Sequence, residues 1–381
     1  MRLALAALLG AGIALGIGAA AGLFGNSTHE TVVVREAAPG TNTPARVVVP
    51  VSSPGFSPAR IFAQRSPGVV TVFAYFSGAG AQGSGFVVSK DGTILTNAHV
   101  ITNAGEGGPV HRAGSVYVEF SDHDRVPAAI VGWDVFDDVG VLRVLPARHR
   151  LDPLPLGRSA AVVVGQPVAA IGSPLGNEDS LAVGVVSAVG RSIAALTAPR
   201  FQLVDAIQTD APIAHGSSGG PLLDARGRVI GINAQIRSAA GGPAGIGFAV
   251  PIDAARRSLH ALLATGTVAY AYAGIQTEDL TPSLAQRLGL KTAYGALVDN
   301  VTSGGPAQQA GIRGGTAHIG FEGQTVVTGG DVVVAVNGAP VQSADDLVRI
   351  VTNTLAPGRT AVFTVVRAGH RRQIPVRLTA R

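Results

Sequence analysis

The segment HGSSGGPLLD, His215 to Asp224, places two adjacent hydroxyls between glycines, directly ahead of an apolar run. Glycine reaches positive φ without a steric penalty and serine bonds its own backbone, so composition alone makes this stretch a turn. A hydroxyl in such a turn attacks a carbonyl only if a base takes its proton, and the base works best when a buried carboxylate fixes its tautomer. Among the nine histidines, His99 stands apart in DGTILTNAHVIT, just past an apolar segment and behind the small Ala98. His29, His111, His123, His149, His260, His318 and His370 sit in polar or loop contexts and read as solvated groups. Asp138 opens DVGVLRV, where an apolar alternation begins. Its neighbours Asp134 and Asp137 read as solvated turn residues, since the alternation starts only after Asp138. The candidate set is therefore Ser218 as nucleophile, His99 as base and Asp138 as orienting acid. A tight turn at Gly216 would aim backbone N–H groups at a carbonyl oxygen gaining charge, and the amides of Gly216 and Ser218 are the candidate oxyanion donors.

Groups so far apart in the chain must be held at the ends of rigid elements. Apolar, β-branched runs of strand length recur through VVTVFAYF, GFVVS, TILTN, SVYVEF, AAIVGW, VGVLRV, PVAAIG, VGVVSAVG, VIGINAQI and IGFAVP, separated by Gly, Asp and Asn. Short strands at such spacing predict a sandwich or barrel. A helical pattern in PIDAARRSLHALLATG, with Pro251 near its start and Gly266 just past its end, closes this domain. Ser57-Pro58 predicts a short helix to about Gln64, with Ser57 as its cap, stopped at Ser66-Pro67. GAGAQG at 78–83 has the spacing of a dinucleotide fingerprint, but a strand follows it where that site needs a helix, so it reads as a hairpin. Beyond Thr267 a second unit carries GALVDNV, DVVVAVNG, TAVFTVVR and RQIPVRL as strands. It has one clear helix, capped at Ser343-Ala-Asp-Asp346 with Leu347, Ile350 and Val351 on one face.

The remaining composition narrows the function classes. The net charge of +5 comes without a Lys/Arg run, which argues against nucleic acid as a partner. Zero cysteines exclude disulfides, cysteine nucleophiles and thiolate metal sites. Leu3 to Phe24 is uncharged, and as a helix it would reach about 33 Å, enough to cross a bilayer. With Arg2 kept inside, everything after Phe24 is exported. The length favours an uncleaved single-pass anchor at the cell membrane. Ala19-x-Ala21 leaves a cleaved signal peptide, and a periplasmic or secreted product, as the alternative. The Pro-, Ser- and Thr-containing stretch 26–57 reads as a tether. The division is 1–28 anchor or signal peptide, 29–57 flexible linker, 58–266 first domain and 267–381 second domain.

The chain order His, Asp, Ser is that of the chymotrypsin-type β-barrel proteases. SPGVV at 66–70, QGSGFVVSKDGTILTNAHV at 82–100, DVGVLRV at 138–144, VAAIGSPLG at 168–176, GVVSAVGRS at 184–192, QTDAPIAHGSSGGPLLD at 208–224 and GIGFAVP at 245–251 together resemble the HtrA/Deg family of trypsin-like serine proteases, with one C-terminal PDZ domain. The resemblance implies a mainly β protein: a chymotrypsin-like double β-barrel, then a small α+β PDZ domain, behind an N-terminal hydrophobic helix. It assigns His99, Asp138 and Ser218 the triad roles, the spacing to Gly219-Gly220-Pro221 favouring Ser218 over Ser217. Ser217 stands where the family often has Asn, and His215 also departs from the family pattern. The resemblance further implies endopeptidase action on unfolded or misfolded polypeptides, small or medium aliphatic P1 residues, no metal or organic cofactor, a homotrimer, and a sensor loop over Arg191 to Gln202. No acid in Ala211 to Ser217 points to cleavage after Arg or Lys. Ile232, Ala234 and Ile236 either line the specificity pocket or pack in the core. YAGI, Tyr272-Ala273-Gly274-Ile275, resembles the PDZ carboxylate-binding loop, so that a C-terminal peptide would add as a strand beside Ile275 to Thr277 and rest against the helix near Ala344. A chaperone-like peptide-binding protein with a latent site is the alternative function.

Overall fold

The computed structural model describes residues 55–105, 108–146, 151–172, 180–194, 197, 202–213, 216–234 and 246–380. The expected membrane segment Leu3–Phe24, His215, Ile236 and residues 195, 196 and 198–201 of the 191–202 loop lie outside these residues. Among the described residues no helix is long and apolar enough to cross a membrane.

A short helix α1 (Pro58–Arg65) leads into six strands: β1 (Val69–Phe76), β2 (Ala79–Val87), β3 (Thr93–Thr96), β4 (Ser115–Glu119), β5 (Arg125–Asp134) and β6 (Val139–Arg143). They close into a barrel in the order β1-β2-β3-β6-β5-β4. A second set, β7 (Pro167–Gly172), β8 (Ser180–Ala194), β9 (Gln202–Thr209), β10 (Pro221–Leu223), β11 (Val229–Ala234) and β12 (Gly247–Pro251), closes in the order β10-β11-β12-β9-β8-β7. The single turn α2 (Ala98–Ile101) follows β3. α3 (Ile252–Thr265) ends at Gly266, which has φ +75. GAGAQG forms the hairpin between β1 and β2, with Phe76 opposite Ala79. Ser57 stands at the N-cap of α1 but its side chain makes no capping bond there; Pro58 at the first turn and the fixed φ of proline are what start the helix.

Barrel strands read as continuous apolar runs because both of their faces are covered. Val70, Val72 and Ala74 of β1, Val87 of β2, Ile94 of β3 and Leu142 of β6 fill the first barrel. The alternate residues Val69, Phe86, Leu95, Val139 and Val141 join Ile171, Leu223, Ile232 and Val250 in a core between the barrels. A period-2 strand thus feeds two cores from one apolar run.

The second unit opens with β13 (Ala271–Tyr272) and β14 (Ile275–Leu280), then α4 (Pro282–Arg287), β15 (Gly295–Val301) and α5 (Pro306–Ala310). A two-stranded arm, β16 (Ala317–Phe321) and β17 (Gln324–Thr328), precedes β18 (Val332–Val336), β19 (Ala339–Pro340), α6 (Ala344–Thr354), β20 (Thr360–Arg367), β21 (His370–Arg377) and β22 (Thr379–Ala380). The sheet runs β14-β15-β18-β20-β21, so β14 is an edge. The expected helix is α6: Ser343 Oγ accepts from Asp346 N at 3.0 Å, and Leu347 and Val351 are buried with Ile350 against their cluster. α4 and α5 were not expected. Each is a short turn begun by proline and capped locally, too brief to show an apolar periodicity. α6 faces the second barrel, with Arg349 Nε 2.7 Å from Asp205 Oδ1 and Arg257 Nη2 2.8 Å from Asn353 Oδ1.

Candidate active site

β3 and β6 pair antiparallel with Thr96 opposite Gly140, so the residues just past β3 lie beside those just before β6. That register brings His99 and Asp138 together. His99 Nδ1 lies 2.8 Å from Asp138 Oδ2, and the backbone N–H of His99 donates to Asp138 Oδ1 at 3.0 Å. With the Nδ1 proton committed to the carboxylate, the neutral ring carries its lone pair on Nε2. Burial opposes a charge on this ring, but the charge of Asp138 and its hydrogen bond outweigh that and hold the pKa above the ordinary histidine value. The His99 side chain is 22% exposed and that of Asp138 8%, so the base is reachable while its acid is shielded.

Asp138 has φ +51, an unfavourable conformation for a residue with a Cβ, and its neighbours hold it there. Asn97 Nδ2 donates to the Asp138 carbonyl at 2.8 Å. Asparagine at a helix N-cap ordinarily caps with its side chain, yet Asn97 makes no such bond to α2 and reaches across to Asp138 instead.

Ser218 approaches the same corner from the second barrel. Its carbonyl accepts from Ser84 N at 2.8 Å, and Ser84 Oγ donates to the Gly216 carbonyl at 2.6 Å. Thr96 Oγ1, three residues before His99, donates to Ser84 O at 2.7 Å. Gly219, at φ +89, lies so close that a Cβ there would fall 2.4 Å from Thr96 Oγ1 and 3.1 Å from Asn97 N. The Ser217 carbonyl accepts from Gly220 N at 3.1 Å. Because a trans peptide sets C=O and N–H on opposite sides, the Ser218 N–H is turned away from that bond. Gly216 has φ +90, the conformation that its lack of a side chain permits.

Asp134 and Asp137 are corrected: both are buried rather than solvated. The β5–β6 turn is not open to water, because α3 and the segment after it cover it. Ser258 on α3 donates to Asp134 Oδ2 at 2.7 Å, and the Tyr270 hydroxyl donates to the same oxygen. The amides of Phe136 and Asp137 donate to Asp134 Oδ1 at 2.9 and 3.3 Å, so Asp134 shapes the turn that delivers Asp138. Burial raises the pKa of Asp134. Burial together with the Asp134 charge pushes Asp137 up to about 7, against the pull of Arg257, whose Nη2 is 3.8 Å away.

Ile232 and Ala234 belong to the inter-barrel core, in accord with the packing reading. Ser84, Thr96 and Asn97 were missed as site residues. The available signal was Gly83 and Gly85 flanking a serine inside a strand, a mark of close backbone approach: a Cβ at Gly83 would lie 3.0 Å from Ser218 O. In the YAGI segment the carbonyls of Ala273 and Gly274 accept from Ala307 N and Thr302 N, each at 2.9 Å. Those bonds turn the N–H groups of Gly274 and Ile275 to the opposite side, and Gly274 has φ +77.

Comparison with known proteins identifies both domains. Residues 83–232 match the trypsin-like peptidase domain and residues 271–378 the PDZ domain. The chain is 38% identical over 300 residues to a probable periplasmic serine endoprotease, DegP-like, of Hahella chejuensis, covering 79% of this chain and 57% of that one. It is 36% identical over 298 residues to the protein of that description in Pseudomonas fluorescens, covering 78% and 56%. The chain thus spans a little over half the length of these curated relatives. The solved HtrA-type protease AlgW with tripeptide superposes with a TM-score of 0.71 at 30% identity, over 85% of this chain and 97% of that one. The chain belongs to the HtrA/Deg family of trypsin-like serine proteases. A further solved family neighbour, the serine endoprotease from Yersinia pestis, has a TM-score of 0.62 at 29% identity, over 85% of this chain and 98% of that one.

Proposed function

We propose that the chain is an exported serine endopeptidase acting on unfolded or damaged proteins through Ser218, His99 and Asp138. The observation that carries this reading is the His99–Asp138 pair, with Nδ1 engaged at 2.8 Å and Nε2 left to act as base. Ser218 Oγ attacks the scissile carbonyl as His99 Nε2 takes its proton, and Asp138 supports the imidazolium without itself being protonated. The amides of Gly216 and Ser218 receive the oxyanion. His99 then gives its proton to the leaving amine. A water molecule, activated by the same ring, releases the acyl group and restores Ser218.

The PDZ domain takes C-terminal peptides. The carboxylate meets the amides of the Tyr272–Ile275 loop, and the peptide adds as a strand at the edge β14, against α6. Peptide occupancy regulates the protease domain. The domain division at 58–266 and 267–381, the anchor or signal segment before it and an extracytoplasmic location complete the reading, supported by the sequence pattern and by the periplasmic description of the relatives. A homotrimer is added on the family resemblance alone.

Labelling with a fluorophosphonate, alongside casein hydrolysis with and without hydrophobic C-terminal peptides, tests it. The parent chain is expected to label and digest, Ser218→Ala to do neither. Equal labelling of the two would refute the assignment of Ser218. Absent labelling with intact peptide binding would instead favour the latent-site reading.

A further inference from the structure

We infer that Ser84 is a positioning residue whose hydroxyl sets the peptide geometry of the nucleophile turn. The inference rests on the catalytic reading of Ser218. Ser84 lies on β2 of the first barrel, fully buried, while the turn at 216–220 belongs to the second. It touches that turn twice: through its backbone N–H to the Ser218 carbonyl at 2.8 Å, and through its Oγ to the Gly216 carbonyl at 2.6 Å. The first bond needs only a backbone and would survive any side chain except proline. The second depends on the hydroxyl alone.

That hydroxyl acts where the chain is least able to hold itself. Gly216 sits at φ +90, but glycine has no side chain to favour one basin, so its conformation must be imposed from outside. Bonding the Gly216 carbonyl to Ser84 fixes the plane of the 216–217 peptide. The Gly220 N–H fixes the next carbonyl, at Ser217, and Ser84 N the one after it, at Ser218. Three successive carbonyls are thus tied down, and planarity sets the N–H groups of Ser217, Ser218 and Gly219. Of the two proposed donors, Ser218 N–H is set directly, and Gly216 N–H, on the preceding peptide, is set through the Gly216 ψ that the Ser84 bond restrains. Ser84 is itself held by Thr96, whose Oγ1 donates to its carbonyl at 2.7 Å. The strand that leads to the base therefore also braces the turn that carries the nucleophile. A preorganised donor set accelerates acyl transfer because the donors need not reorganise as charge develops.

Ser84→Ala in the full chain removes this bond and keeps the Cβ and the backbone contact. The assays are hydrolysis of a peptide substrate per active site, sites counted by end-point fluorophosphonate titration, and inhibition by a peptide boronate, whose tetrahedral adduct needs the same donors. The expected result is a parental number of titratable sites and kcat per site lowered about 10- to 100-fold. KM should stay within about threefold, boronate affinity should fall in parallel with kcat, and the acidic limb of the pH profile should not move. Parental kcat and boronate affinity would overturn the inference. So would a loss confined to the number of titratable sites with parental kcat at each, which is what a purely structural role produces. Ser84→Gly deletes the same hydroxyl together with the Cβ, so it places no atom in the seam that could clash, and is expected to match. A glycine variant with parental kcat and boronate affinity would overturn the inference even if the alanine variant failed to fold. Ser218→Ala runs beside them, and parental hydrolysis by that variant would refute the catalytic reading itself, separately from the role of Ser84.

Discussion

Replacing Asp137 by asparagine should change the pH dependence of stability with a definite sign. Asp137 is buried next to Asp134, and in the folded chain its carboxyl is pushed up to about 7 from an ordinary 3.8. A carboxyl raised on folding binds more protons in the folded than in the unfolded chain between those two values. Its stabilising contribution is therefore complete below about pH 4 and is lost as pH rises through about 7. The interval corresponds to about 4 kcal/mol in full. About 2–4 kcal/mol of it is lost between pH 5 and pH 8. Asparagine carries no charge in either state and removes this slope. In a Ser218→Ala background, which prevents self-digestion, Asp137→Asn should gain on its parent steadily from pH 5 to about pH 7 and level off by pH 8. The gain should reach on the order of 5–10 °C in Tm, at roughly 2–4 °C per kcal/mol for a domain of this size. A constant offset from any change in packing would not matter, since the diagnostic is the difference in slope between two melting series followed by circular dichroism. Parallel curves across that range, or a variant that loses ground as pH rises, would refute the argument that burial and the Asp134 charge hold this group protonated.

Two further outcomes follow from the site geometry. His99 must be neutral to accept a proton, and Asp138 holds its pKa above the ordinary 6.5. The acidic limb of kcat/KM should therefore lie above 6.5 and move down in Asp138→Asn, with kcat falling about 10⁴-fold as the tautomer is lost. A pH–rate series on both proteins checks this. Gly219→Ala would set a Cβ 2.1 Å from the Ser84 carbonyl at a residue with φ +89. It should cost about 2–4 kcal/mol of stability by denaturant titration, from the backbone strain and the displaced Thr96–Ser84 bond, and abolish most labelling of Ser218.

The three proposed catalytic side chains were legible because each stands at a strand end marked by its own neighbours: TILTN before His99, VGVLRV after Asp138, and paired glycines after Ser218. The barrels were legible because β-branched runs between Gly and Asp turns are a local signal. Asp134 was misread for an equally physical reason. An aspartate in a turn is ordinarily solvated, and only the packing of Ser258 and Tyr270, from segments more than a hundred residues away, makes it a buried hub. The flanking glycines mark a close approach at Ser84, but its partner could not be read because the hydrogen bond spans 132 positions. The short helices of the second unit escaped because a helix of one or two turns leaves no periodicity to find.

What the sequence by itself determined is the set of residue types, their order and the elements at whose ends they stand, since strand pattern, turn chemistry and nucleophile context are local properties written in consecutive residues. Only the tertiary structure decided which carboxylates are shielded from water, which backbone carbonyls around Ser218 are tied down, and that one buried serine of the first barrel braces the turn of the second. Those outcomes depend on which surfaces meet when two closed barrels pack together, and burial and hydrogen bonding across that seam have no counterpart in any single stretch of chain.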